Sequence, residues 1–141
     1  MPSLIFLASQ ERVEDLEIDE DPVHTFPCIH SRGFHDEARA QLYALVTGRF
    51  FDEAMELECL YRSLSDEGPT VYEFSRELVS RLAALEQDQV TEYVELWSEC
   101  AEIEAMDTSR DDLNEFVFLL VNLCQAAVNE DDLGIYVYAD T

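Results

Sequence analysis

Lysine is absent from this chain, and arginine supplies all 8 of its basic side chains. The chain has 32 aspartate and glutamate residues, so its formal net charge is −24. A surface of that sign repels nucleic-acid phosphates and anionic lipid headgroups, so we expect no direct nucleic-acid binding and no membrane binding. The same surface attracts basic proteins and cations, and this long-range attraction would speed their encounter.

Glycine is also scarce, with 4 residues, so few positions allow a cofactor to approach the backbone closely. The chain has no glycine-rich phosphate loop, no nucleophile elbow, no HExxH pair and no calcium-loop spacing. Paired carboxylates are abundant, but acid–base catalysis needs a carboxyl group in an apolar pocket, which solvated acids lack. We therefore expect neither an enzyme nor a cofactor.

Long apolar segments and clustered cysteines are missing as well. No segment approaches 18 uncharged apolar residues, and residues 3–8 have no basic region before them that would make a signal peptide. The four cysteines, Cys28, Cys59, Cys100 and Cys124, are far apart, which suits free thiols in a reducing compartment. The length suits one domain over residues 1–141, and we expect it in the cytoplasm.

Apolar periodicity predicts a mainly α (α+β) fold. The pattern predicts a compact bundle of about five helices and a minor two-stranded β element formed by the chain termini. An irregular connection occupies residues 19–34, because Pro22 and Pro27 interrupt helical spacing. Thr70 and Glu73 form a capping-box pattern before the third helix. The predicted elements are helices at 36–46, 50–64, 70–85, 88–104 and 110–128, and paired strands at 3–8 and 135–139.

For two of these elements, the sequence also predicts which side chains are buried. The run FVFLLV at 116–121 has no polar side, so the last helix should be central and nearly fully buried. In the terminal strand, alternation predicts Ile135 and Val137 facing inward, with Tyr136 and Tyr138 facing outward. The same strand would also suit addition to another chain's sheet, which would make a homodimer.

The helix predicted at 88–104 has two contrasting sides. At about 100° per residue, five acids fall on one line that is about 21 Å long. These partner-binding candidates are Asp88, Glu92, Glu95, Glu99 and Glu102. The opposite side carries Val90, Tyr93, Val94, Trp97 and Ala101, which should face the core. No arginine lies between Arg81 and Arg110 to neutralise the stripe.

All three histidines lie near a cysteine in one short stretch. His24, Cys28, His30 and His35 offer imidazole and thiolate ligands of the kind that zinc prefers. Their spacing matches no common zinc pattern, so they are weak metal candidates, and our interpretation is a loop without a metal.

These observations favour an acidic inhibitor that binds and occludes a basic protein, such as a nuclease toxin or another nucleic-acid-binding protein. Immunity proteins and DNA mimics act in this way, with carboxylates standing where phosphates would otherwise lie. The alternatives are a small metal-binding protein or enzyme built on the histidine stretch, and an adaptor or oligomer subunit whose acidity serves only solvation.

Overall fold

The fold combines one antiparallel sheet with helices. The computed structural model describes residues 3–14, 28–30, 34, 36–63, 70–106, 108–130 and 132–139. In chain order the described elements are β1 (Ser3–Ser9), α1 (Gln10–Glu14), β2 (Cys28–His30), α2 (Asp36–Thr47), α3 (Phe51–Met55), β3 (Glu58–Ser63), β4 (Thr70–Phe74), α4 (Arg76–Ala83), α5 (Gln87–Ser98), α6 (Ala101–Met106), α7 (Arg110–Val128) and β5 (Leu133–Ala139). The predicted helical bundle with a minor two-stranded element is therefore wrong, because five strands form a single sheet in an α+β fold.

The sheet has the strand order β2-β1-β5-β4-β3, and every neighbouring pair is antiparallel. The predicted pairing of the two terminal strands is confirmed, with a register that runs from Ser3 opposite Ala139 to Ser9 opposite Leu133. However, β5 also pairs with β4 along its other edge. The predicted addition of this strand to another chain's sheet therefore has no free edge to use.

Both faces of the sheet are covered. On one face, Ile5, Ile135 and Val137 pack into the main core beneath the helices. Helix α7 lies against β1, β2 and β5, and α4 and α5 flank it. On the other face, Phe6 and Tyr136 belong to a second, smaller cluster.

The second cluster corrects the expected outward placement of Tyr136. The predicted alternation along β5 is present, but Tyr136 is only 1% exposed, because Val13 of α1 closes over this face. The Tyr136 ring stacks on Phe6 at 5.7 Å and meets the edge of Tyr61 at 5.3 Å. Tyr138 is partly buried against the same cluster.

Two paired strands replace most of the second predicted helix and the first part of the third, whose remainder is the helix α4. In the predicted helix at 50–64, the described residues form only the short helix α3 before β3 begins, and Thr70 starts β4 rather than capping a helix. Thr, Val, Tyr and Phe in β4 favour a pleated strand, and pairing with β3 and β5 outweighs the local capping pattern. The actual N-cap is Ser75, whose hydroxyl accepts a hydrogen bond from the Leu78 amide at 3.2 Å.

Helix α7 confirms the predicted long helix at 110–128 but not its complete burial. Leu120 and Val117 are fully buried, whereas Phe118 is 61% exposed. The helix lies on the sheet with one face, so apolar residues all around its circumference cannot all be covered. None of the helices in the described ranges has both the length and the apolar content needed to cross a membrane.

Candidate functional site

Trp97 fixes the orientation of α5. Its indole N–H donates to the carbonyl oxygen of Ala38 at 2.8 Å, and its ring is completely buried. Phe34 packs against the Trp97 ring at 5.1 Å, and Phe116 packs against it at 5.9 Å. Because a buried aromatic ring with a satisfied N–H has one preferred placement, α5 is held firmly between α2 and α7.

The opposite side of α5 carries four of the five predicted acids. Asp88, Glu92 and Glu95 are exposed on the helix, and Glu99 is exposed at its C-cap. In the described part of the chain, no arginine forms an ion pair with these four carboxylates. We define this set, Asp88, Glu92, Glu95 and Glu99, as the acidic face.

The fifth predicted acid is not part of that face, because the helix is interrupted. Glu99 and Cys100 form a turn between α5 and α6. Here the amides of Glu99 and Cys100 donate to Leu96 and Trp97, three residues back. Glu102 is consequently on a separate helix, where it is partly buried and accepts a hydrogen bond from Gln41 at 3.2 Å.

Burial of Ile103 gives a physical reason for this interruption. In an uninterrupted helix, Ile103 would lie about 120° from Trp97 and would project beside the acids. In the structure, Ile103 is 2% exposed and belongs to the main core. The turn therefore buries one large apolar side chain, and Ala101, which was predicted to face the core, becomes exposed.

Leu96 is a member of this surface that the acidic pattern did not reveal. It is 43% exposed, and it is placed four residues after Glu92 and three residues before Glu99. Residues with these spacings are neighbours on a helix surface, so an apolar side chain lies among the carboxylates. The same helical wheel could have identified Leu96 if apolar residues near the acids had been considered.

Two of the four acids occupy an unfavourable end of the helix. Glu95 lies in the last turn and Glu99 lies at the C-cap, where the helix dipole is negative and favours cations. The last turn of α5 contains no basic residue to compensate. Acids at Glu95 and Glu99 do not stabilise the helix, so helix stability does not explain their presence there.

A second ionisable cluster is buried and structural. Two guanidinium nitrogens of Arg39 donate to the two carboxylate oxygens of Glu58, each at 2.8 Å, and the third donates to the carbonyl of Phe34 at 2.6 Å. The Tyr43 hydroxyl also donates to Glu58. Burial, followed by the charge of Glu58, raises the pKa of Tyr43. Since each side chain already has its partners, the cluster joins α2 to β3 and leaves no free group for chemistry.

The predicted histidine stretch is only partly described. Cys28 and His30 belong to β2, where Phe6 pairs with Cys28 and Leu4 pairs with His30. The Cys28 side chain packs against the smaller cluster. His24 and His35 lie outside the described residues. The structure therefore does not test the metal-site hypothesis, which is supported by the sequence alone.

Comparison with known proteins gives no assignment: no family model, no curated protein and no solved structure matches this chain.

Proposed function

We propose that this protein is an acidic inhibitor that binds a basic protein and occludes its functional cleft. The acidic face supplies carboxylates that accept bidentate hydrogen bonds from arginine and ion pairs from lysine. A nucleic-acid-binding cleft is a suitable target, because its basic side chains normally face phosphates. The inhibitor acts by covering those side chains, and it performs no reaction on them.

The observation that carries this proposal is the set of unpaired acids at the C-terminal half of α5. Glu95 and Glu99 lie at the negative end of the helix dipole without a basic neighbour in the last turn. Residues that break a local stability rule without compensation are concentrated at functional sites. Acidity that served only solvation would not require acids at this helix end, where the dipole disfavours them.

Burial and rigidity also suit binding. Trp97 holds the helix that carries the acids, so the helix backbone loses little conformational entropy on association. Leu96 provides an apolar contact among them, and covering its exposed surface with a partner would add to the affinity. The charges then contribute mainly association rate and selectivity.

We place this function in the cytoplasm. The four cysteines are far apart in the sequence, and this spacing suits thiols in a reducing compartment better than a disulfide framework.

The decisive experiment compares two charge reversals of equal size. Immobilised wild-type protein, Glu95→Arg/Glu99→Arg and Glu130→Arg/Asp132→Arg would each be incubated with native lysate at low salt. Bound proteins would be quantified by mass spectrometry. Glu130 and Asp132 are exposed around the turn after α7, so the second variant changes net charge equally without altering the acidic face.

We expect a basic protein to be retained by the wild type and by the Glu130/Asp132 variant, but not by the Glu95/Glu99 variant. With the purified partner, the Glu95/Glu99 reversal should slow association by about tenfold or more at low salt and weaken its salt dependence. Its melting temperature should be equal or higher, because arginine suits a helix C-terminus. Equal loss of binding in both variants would contradict a dedicated face, and capture of no basic protein would contradict the function.

A further inference from the structure

Strand β3 forms one edge of the sheet. In the ranges that the structure describes, it pairs with β4 on one side and has no strand on the other. Leu60 on this strand is 67% exposed and Cys59 is also exposed. An edge of this kind can accept another strand through its backbone N–H and C=O groups.

The register identifies which backbone groups point outward. The Ser75 amide donates to the Leu57 carbonyl at 2.8 Å, so the backbone polar groups of Leu57 face β4. In an antiparallel pair this direction alternates along the strand. Cys59, opposite Glu73, therefore also faces β4, whereas Glu58 and Leu60 direct their N–H and C=O groups away from it. An irregularity between Leu60 and Arg62 ends this regular stretch.

Side-chain contacts hold β3 in place on both faces of the sheet. On the helix-bearing side, the Glu58 carboxylate is held by two hydrogen bonds from Arg39. On the other side, the Tyr61 ring packs against Tyr136. Little conformational entropy would therefore be lost from β3 when a strand is added.

Acidic residues around the outer edge of β3 favour the addition of a basic strand. Glu14 accepts a hydrogen bond from the Tyr61 hydroxyl at 3.3 Å, and Glu73 lies on the neighbouring strand. Burial, followed by the charge of Glu14, raises the pKa of Tyr61, and Glu73 adds to this effect. Of the basic residues here, Arg39 is already occupied by Glu58. Arg62 lies on β3 itself, beyond the irregularity that ends the regular stretch. A second copy of the chain, also with a net charge of −24, would be repelled, whereas a basic segment would be attracted.

We propose that the outer edge of β3 binds an extended segment of a basic protein as an added strand, using the backbone groups of Glu58 and Leu60. The exposed Leu60 side chain contacts an apolar residue of that segment, and arginine or lysine residues of the segment face the surrounding acids. This site is separate from the acidic face of α5, and its test does not depend on the proposed inhibitory function.

The test uses a capped eight-residue peptide of alternating valine and arginine, with backbone amide hydrogen exchange followed by NMR. In the free protein, the amides of Glu58 and Leu60 should exchange rapidly, whereas the Cys59 amide is protected by β4. Adding the peptide should slow exchange at Glu58 and Leu60 by about tenfold or more. The same peptide N-methylated at alternate residues, which removes the donors along one edge, should not slow it.

A proline substitution tests the backbone contact from the protein's side. Leu60→Pro removes an outward N–H without removing a hydrogen bond to β4, and edge strands tolerate proline at such positions. It should weaken peptide binding by about tenfold or more, whereas Leu60→Thr, which keeps the N–H, should retain more of the binding. The melting temperature of each variant checks that the sheet is intact.

Four results would overturn the inference. They are unchanged exchange at Glu58 and Leu60 with peptide in excess, equal binding of the N-methylated peptide, and equal binding of a valine–glutamate peptide of the same length. The fourth is protection of these amides by concentrated protein alone, with dimers in sedimentation, which would assign the edge to a second copy of the chain. The N-methylated peptide keeps the test decisive if Leu60→Pro fails to fold.

Discussion

Replacing Arg39 by methionine should destabilise this protein strongly. Arg39 is 4% exposed and the Glu58 side chain is 8% exposed, so the substitution leaves a carboxylate buried without its cation. The carbonyl of Phe34 also loses the donor that lies 2.6 Å away. Breaking a buried pair from one side costs about 3–5 kcal/mol. That is a large part of the total stability of a typical domain, about 5–15 kcal/mol.

Removing the second charge should restore part of that loss. In Arg39→Met/Glu58→Gln no charge is left buried, and the glutamine oxygen can still accept the Tyr43 hydroxyl. The remaining cost is mainly the unpaired Phe34 carbonyl, about 1–3 kcal/mol. The double variant should therefore be more stable than Arg39→Met alone. If the two residues acted independently, the costs of the two substitutions would add, and the double variant would be less stable than Arg39→Met alone.

The measurement is urea unfolding followed by the fluorescence of Trp97, the only tryptophan in the chain. Arg49→Met is the matched control, because Arg49 makes the same two-pronged contact with Glu77, at 2.6 and 2.8 Å, on the surface. Its effect should be a small fraction of the Arg39→Met effect, since solvent screens exposed pairs. A double variant less stable than Arg39→Met, or equal effects at Arg39 and Arg49, would refute the buried-pair reasoning.

Two further predictions test the packing around α7. Leu120→Ala should cost about 2–5 kcal/mol of unfolding free energy in urea titrations, because it leaves a cavity beneath the helix, whereas Phe118→Ser should be near neutral; the reverse order would contradict the orientation of α7. In native protein, Cys59 should react rapidly with a thiol reagent at mildly alkaline pH, whereas Cys124, whose pKa burial raises to about 12, should react only on unfolding. Mass spectrometry of the labelled peptides distinguishes the two sites, and equal labelling would show that Cys124 is accessible.

The elements predicted correctly from sequence are those whose local pattern and tertiary environment agree. Helix α2 follows its apolar spacing to a stop at Gly48, whose φ of 74° suits glycine. Helix α7 begins after Ser109, which accepts a hydrogen bond from the Asp112 amide. The terminal strands are short apolar runs with few competing alternatives.

The errors arise where a short segment fits two periods equally well. Leu57 and Tyr61 are four residues apart, which is also the spacing of neighbours on a helix. However, Glu58 forms an ion pair with Arg39 of α2, 19 residues earlier in the chain, and this contact favours the strand. Strand β4 finds its second neighbour at the far end of the chain, in β5. Neither contact is visible in a local window, and each is favoured only when distant segments meet.

The features of the candidate surface also fall into two groups, those that the sequence determines and those that only the tertiary structure decides. The sequence by itself determined the net charge, the absence of lysine and the opposition between Trp97 and the acids, because composition and helical period are local properties. Only the tertiary structure decided that Ile103 would be buried, which turns the chain at Glu99 and separates Glu102 from the acidic face. It also decided that Leu60 would lie on a sheet edge, because a strand becomes an edge only through the order in which distant strands pair.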